Sequence, residues 1–448
     1  MFLQGVEELL GGHSSRFHCD LERLSRSATA MNEKQFQQAL RRAFWLPLGI
    51  LWLLLIAFFL SNSYAKEPSH APTEPMIAIG DVHGAFDDFC LILKRAGLTD
   101  EQNHWIGGRA TLVQTGDLVD RGFKGREAMD VVMKLEKEAA AAGGQVIPLL
   151  GNHEVMNVLG DLRYVPPQAY ANFANNNDSE KRREAAYQQY AAWYETHAKS
   201  LPALKEPVFA ATKEEWMAKH PPGFLEYRDA FAPDGSYGQW IRQHATVAKL
   251  EGVLFVHGGI SPSLVSWSPE KINSQVKKEL AEFDKAKQDL VARKVILPFF
   301  TLQEILVAAQ GELLTERVAG KPLDAAYHNL LQRVLAVNSW TCMSDDGPLW
   351  FRGYDQWSEE EGTPEVQKVL AAYDAAHIVV AHTVQKVAHI RSRFRGRAFL
   401  IDTGMLSAYW PGGRASALEI SAGKFSALYL DSQEVLFDAK ASSSGEAN

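Results

Sequence analysis

The chain has 448 residues, 46% of them hydrophobic and 22% charged, with a formal net charge of −8. That length accommodates one large domain or two ordinary ones, and the mild acidity argues against a nucleic-acid partner, which favours a basic face. The cysteines Cys19, Cys90 and Cys342 are odd in number and far apart, so no disulfide framework is implied; two buried free thiols are expected, with a Cys90–Cys342 bridge in an oxidising compartment as the alternative.

Residues 1–42 read as a basic segment that stays in the cytoplasm, because Arg41 and Arg42 stand directly before an uncharged apolar run at 43–60. Small residues follow as far as Ala65. A basic start, an apolar middle and small residues before a cut are the parts of a secretory signal. The run is also long enough for a short membrane span. In both readings the rest of the chain is exported, periplasmic or otherwise extracytoplasmic. It is either soluble after cleavage near Ala65 or anchored to the inner membrane through 43–60. Residues 61–75 read as a linker and the small, polar residues 439–448 as a disordered tail.

From Met76 onward, apolar runs alternate with helical spacing. Strand-like runs at 76–79, 110–114, 146–150, 253–256 and 378–380 each lead into a polar segment. Those segments are Gly80-Asp81-Val82-His83-Gly84, Gly116-Asp117-Leu118-Val119-Asp120-Arg121-Gly122, Gly151-Asn152-His153-Glu154, His257-Gly258-Gly259 and Ala381-His382-Thr383. Helical spacing at 86–96 and 127–142 follows the first two segments, and 279–293 reads as an amphipathic helix. Strand, loop, helix gathers function at the carboxyl ends of strands. From His377 the pattern becomes short runs at 398–401, 417–420, 425–430 and 434–437, read as mostly antiparallel strands.

Any one of these segments alone is a polar turn or a helix cap. All five in order, each after a strand, supply carboxylate, amide and imidazole donors that suit Mn, Fe or Zn. Two such ions about 4 Å apart activate a water and clamp a phosphoryl group. Gly80, Gly116 and Gly151 are expected to turn the backbone sharply beside the ions. Arg121 is the natural phosphate clamp, since its planar fork pairs two oxygens. Glu154 is read as a support of its loop.

The motifs Asp81-x-His83, Gly116-Asp117-x-x-Asp120-Arg121-Gly122, Gly151-Asn152-His153-Glu154, His257 and His382 resemble the calcineurin-like metallophosphoesterases, in the phosphoprotein phosphatase branch. Gly151 to Val165 is similar to the Shewanella-like phosphatases of that branch. The resemblance covers about residues 76–435. It implies an α/β fold of two packed mixed sheets flanked by helices, a four-layer α/β/β/α sandwich, over a catalytic domain at 76–438 with insertions at 155–245 and 268–340. It implies two divalent metal ions, manganese foremost. Asp81, His83 and Asp117 would bind the first ion, and Asp117, Asn152, His257 and His382 the second. A hydroxide bridging the ions would attack phosphorus directly. His153 would protonate the leaving oxygen, oriented by Asp120, although Asp120 also reads as a turn residue. Arg352, in Leu349-Trp350-Phe351-Arg352-Gly353, is a second clamp or a surface ion-pair residue, and Arg242 a third candidate.

The expected activity is a metal-dependent phosphomonoesterase acting on phosphoprotein, at Ser/Thr or Tyr, or on a small phosphate ester. A dinucleoside polyphosphate hydrolase is the alternative, though those relatives usually lack the Asp of Asp-Arg-Gly. A catalytically silent binding protein of the same fold, or a membrane-anchored structural subunit, would not need all six ligands. The insertions lie between motif loops and are candidates for cleft walls. The cluster Tyr187, Tyr190, Trp193 and Tyr194 is read as a core stripe.

Overall fold

The computed structural model describes residues 74–197, 208–320 and 322–444. The described residues belong to one compact unit. The basic segment 1–42, the apolar run 43–60 and nearly all of the linker 61–75 lie outside the described residues. Among the described residues no helix is long and apolar enough to cross a membrane.

Strand β1 (Met76–Ile79) pairs in parallel with β2 (Thr111–Gln114), and β2 with β3 (Gln145–Pro148). On its other edge β1 pairs antiparallel with β9 (Ser416–Ser421), which continues through β10 (Lys424–Tyr429) to β11 (Gln433–Asp438). The six-stranded order is β11-β10-β9-β1-β2-β3. The second sheet contains β4 (Val247–Leu250), β5 (Val253–Val256), β6 (His377–Val380), β7 (Arg391–Arg393) and β8 (Ala398–Leu400), in the order β4-β5-β6-β8-β7. Strands β5, β6 and β8 are parallel, and the two edge strands antiparallel.

The period of two along each strand separates the layers. Met76 and Ala78 of β1 point into the space between the sheets, with Val113, Phe255, Val379 and Leu418. There Phe399 and Phe425 stack with ring centroids 4.4 Å apart. Ile77 and Ile79 point the other way, onto the helices. Helix Phe86–Arg95 meets them with Phe89, Ile92 and Leu93, and helix Gly125–Ala141 adds Ala128, Met129, Val132 and Leu135 to the same layer. Each fully buried side chain of this size contributes about 1.5–3 kcal/mol. Helix Glu359–Ala372 covers the outer face of the second sheet through Val366, Val369 and Leu370. The expected four-layer sandwich is therefore present.

Four expectations need correction. The third strand ends at Pro148 rather than 150, because Leu149 leaves the first sheet to bridge Ala245 beside the second. The helix expected from 279 starts at Pro269, capped by Ser268, whose hydroxyl accepts the Lys271 amide. Residues 439–444 of the expected tail form a short helix that continues from β11. The insertions, read as cleft walls, meet each other in a shared core, as where the Trp193 indole donates to the Val295 carbonyl at 3.0 Å. Tyr190 and Trp193 are buried in that core, as expected. Cys90 and Cys342 are free thiols, Cys342 buried and Cys90 half-buried.

Candidate active site

The first two loops are joined by backbone bonds. The Val82 and His83 amides both donate to the Asp117 carbonyl at 2.9 Å, and Gly84 donates to Leu118. The third loop joins them through Glu154. One of its oxygens accepts the Asp117 and Gly151 amides at 2.7 and 3.0 Å, and the other accepts Leu118 at 2.8 Å. Glu154 is thus a support, as its sequence context implies. Gly116 has φ +98°, and a Cβ there would lie 2.3 Å from the Gly151 nitrogen. Gly80 and Gly151 have ordinary φ and are needed for space: a Cβ on Gly151 would strike an Asp117 oxygen at 2.1 Å. His83, Asp117, Asp120, Arg121 and His382 all adopt positive φ between 49° and 69°. Such backbone costs of order 1–3 kcal/mol per residue and gathers where function over-determines geometry.

Asp81, His83, Asp117, Asn152, His257 and His382 are all buried around one point. Asp117 stands at its centre. Its Oδ1 accepts the His153 amide at 2.9 Å, and its Oδ2 faces three imidazole Nε2 atoms, of His257 at 3.3 Å, His83 at 3.7 Å and His153 at 3.9 Å. The Nδ1 atoms of His83 and His257 donate to the Val119 and Thr115 carbonyls at 3.0 and 2.9 Å, which aims each Nε2 inward as a lone pair. Asn152 Oδ1 lies 2.9 Å from His257 Nε2, acceptor against acceptor, and His382 Nε2 is buried with no partner. Asp81 Oδ2 is 3.8 Å from His83 Nε2. A convergence of unsatisfied acceptors of this kind fits divalent cations. His83, Asp117 and His153, and again Asp117, His257 and His382, bring ligand atoms within 4.8 Å of one another. His153 enters the first group in place of the expected Asp81, but its Nδ1 is held 2.6 Å from Asp120 Oδ2.

The electrostatics follow from burial. Burial raises the Asp81 carboxyl well above its usual range, helped by Asp402 and Asp117. Burial alone would also raise Asp117, but His257, His153 and His83 outweigh it and hold it well below. Burial, then His153, lowers His83 to about 3, and burial with His257 and Arg352 lowers His382. Burial opposes charge on His153 too, yet Asp117 and Asp120 prevail and raise it. Asp120 also accepts from Asn157 at 2.9 Å, so it is more than a turn residue.

The candidate ligands other than His257, together with His153, line a pocket of about 320 Å³ that also holds Arg121 and Arg352. The Arg121 guanidinium carbon sits 4.0 Å from the centre of the Tyr164 ring and 4.2 Å from that of Tyr409. Its Nε is buried without a partner. Arg352 donates to the His382 carbonyl and to Thr383 Oγ1 at 3.2 and 3.0 Å, not to a surface carboxylate. Arg242 is elsewhere, bound through two nitrogens to Asp284 at 2.8 Å. The second insertion does not line the pocket, and the first contributes Tyr164.

Sequence reasoning missed Asp402, Tyr164, Tyr409 and Trp410 as site residues. Asp402 is buried, raises the Asp81 carboxyl and keeps one oxygen without a partner. Its signal was present: Asp402-Thr403-Gly404 follows the apolar run 398–401, in the pattern of the other motif loops. The tyrosines carry no local signal.

The calcineurin-like phosphoesterase family matches residues 75–386. The chain is 30% identical over 210 residues to Shewanella-like protein phosphatase 2 of Arabidopsis thaliana, covering 46% of this chain and about half, 51%, of that protein. It is 26% identical over 349 residues to Shewanella-like protein phosphatase 1 of Plasmodium berghei (strain Anka), covering 77% and 71%. The fold is similar to that of a cold-active protein-tyrosine phosphatase of a psychrophilic Shewanella species, with a TM-score of 0.51, 24% identity, and 81% and 80% of the two chains covered.

Proposed function

Because this chain belongs to the calcineurin-like phosphoesterases, we propose that it is a metal-dependent phosphomonoesterase, acting on phosphoprotein with preference for phosphotyrosine. The observation that carries the reading is a pocket in which two arginines, without carboxylate partners among the described residues, stand beside the convergent acceptors of Asp81, Asp117, Asn152 and His382.

Asp81, His83 and Asp117 would hold one divalent ion, and Asp117, Asn152, His257 and His382 the other; manganese, iron or zinc suits these donors, and the pair would polarise phosphoryl oxygens and acidify a water. Arg121 and Arg352 bind and orient the phosphoryl oxygens. The tyrosine rings on either side of Arg121 fix its plane, so little side-chain freedom is lost when phosphate arrives. Asp120 holds the proton on His153 Nδ1 and leaves Nε2 to deliver a proton to the departing oxygen. Tyr164, Trp350, Tyr409 and Trp410 surround this centre with aromatic surface that suits an aryl leaving group. The tyrosine-phosphatase activity named for the Shewanella relative supports the same preference.

The test is turnover by the manganese-loaded full chain of a phosphotyrosine peptide, its phosphoserine counterpart and a dinucleoside tetraphosphate. The phosphotyrosine peptide should be the best substrate. Hydrolysis of the dinucleotide alone would overturn the reading in favour of a dinucleoside polyphosphate hydrolase.

We also propose that the catalytic unit is exported, on the strength of Arg41 and Arg42 before the uncharged run 43–60. A reporter enzyme active only outside the cytoplasm, fused behind residue 75, should be active; activity of a cytoplasm-only reporter at that position would reverse the orientation.

A further inference from the structure

A second cavity, of about 430 Å³, lies between the helical insertions and shares no lining residue with the catalytic pocket. Its volume is in the range that takes a small organic ligand. One wall is Val158, from the last turn of helix Asn152–Leu159, and Phe231, Val291 and Pro298 continue the apolar surface.

Two cations face this apolar space. Arg228 is 6% exposed. Its terminal nitrogens reach only the Asn157 and Phe300 carbonyls, at 3.3 and 3.4 Å, and its Nε is buried with no partner. Lys287 lines the same cavity and makes no hydrogen bond or ion pair among the described residues. The carboxylates nearby are committed or outside, and the buried Glu304, which favours the charged form of Arg228, makes no direct ion pair with it and is bound by Thr301. Asp284 is held through both oxygens by Arg242, Asp229 pairs with Arg182, and Asp234 is exposed at the rim. Burial, and then the charge of Arg228, pushes the Lys287 ammonium down to about 7. A largely buried cation without a direct ion pair gains from an anion that pairs it.

We infer that this cavity binds a small amphiphilic carboxylate, its head between Arg228 and Lys287 and its hydrocarbon body against Val158, Phe231 and Val291. A single carboxylate can lie between the two cations. A phosphate dianion would bring its second charge beside Asp229, Asp234 and Asp284. The apolar wall supplies affinity with each methylene buried, and the charged head supplies selectivity.

The test is calorimetric titration of the full, metal-loaded chain with octanoate, 1-octanol and octylammonium. Octanoate should bind saturably and at least about tenfold more tightly than octanol, as one charge-assisted contact requires, and octylammonium should not bind. Lys287→Met should weaken octanoate by a similar factor. Val291→Trp, which fills the cavity, should abolish binding while aryl phosphate turnover persists. Arg121→Ala should bind octanoate as the parent does. Absence of saturable binding, equal affinity for octanol, or loss of binding in Arg121→Ala would each overturn the inference, the last by placing the ligand in the catalytic pocket. Because occupancy is read by heat and not by turnover, failure here leaves the phosphatase reading untouched.

Discussion

The imidazole of His153 and the carboxylate of Asp120, 33 residues apart, meet with Nδ1 and Oδ2 2.6 Å from one another, both buried. A carboxylate at Nδ1 sets the tautomer and favours the protonated ring. His153→Asn should therefore retain its metal and lose turnover roughly 10²–10⁴-fold on phenyl phosphate. The loss on a dinitrophenyl ester, whose leaving oxygen needs no proton, should be far smaller. Steady-state rates across aryl phosphates of graded leaving-group basicity decide it, and a uniform loss removes His153 from the acid role.

Asp117→Asn should abolish turnover and impair retention of both ions. A single oxygen of Asp117 faces three imidazole nitrogens, and no other residue among the candidate ligands occupies that position. Metal analysis of the purified variant showing two ions per chain, with near-normal activity, would contradict the bridging role.

Arg121→Ala should keep both ions while lowering kcat/KM and weakening inhibition by inorganic phosphate, each by about one to two powers of ten. Tyr409→Ala removes one of the two rings that hold the guanidinium and should show the same pattern at smaller size. Unchanged phosphate inhibition in Arg121→Ala would make Arg352 the principal clamp.

Asp402→Asn should weaken metal binding by roughly 10–100-fold, the usual cost of losing a group that supports a ligand. The same change should raise the thermal stability of the metal-free protein, because Asp402 and Asp81 are two buried carboxyl groups in contact. Metal titration and melting in chelator give the two readings. A variant less stable without metal would show that Asp402 is a packing residue.

His220 bears on stability, away from the site. It is 3% exposed and stacks on Trp216 with centroids 4.1 Å apart. Burial, with smaller help from Lys219 and Arg183, lowers its pKa from 6.5 to about 4. As pH falls below 6.5 the unfolded chain takes up a proton that the folded chain refuses, so stability is lost between pH 6.5 and 4. By linkage the loss from pH 7.5 to pH 5 is about 2 kcal/mol. Urea midpoints of the parent and of His220→Gln at the two pH values should differ in slope by that amount. Parallel slopes would mean that His220 takes its proton without unfolding.

The strands and motif loops were legible because their signals are local. A run such as Met76–Ile79 followed by Gly-Asp-x-His needs only near neighbours to show that a strand ends in polar donors. Asp402 carried the same signal at the end of β8 and could have been read with the others. The start of helix Pro269–Ala292 was also written locally, in Ser268 and Pro269.

The sequence by itself thus determined the succession of strand-like runs along the chain and the donor atoms at their ends, because each depends on spacing along a few residues; the pairing of His153 with Asp120 was implied only by the resemblance of their motifs to a known family. Tertiary structure alone decided what surrounds them. Arg121, Tyr164 and Tyr409 stack although 43 and 245 residues separate them in turn. The first insertion reaches the pocket through Tyr164 and the second does not line it. Arg242, which reads like a clamp, is held by Asp284. Such contacts arise when packed layers bring distant side chains within a few ångströms, and no periodicity in the chain records which of them will meet.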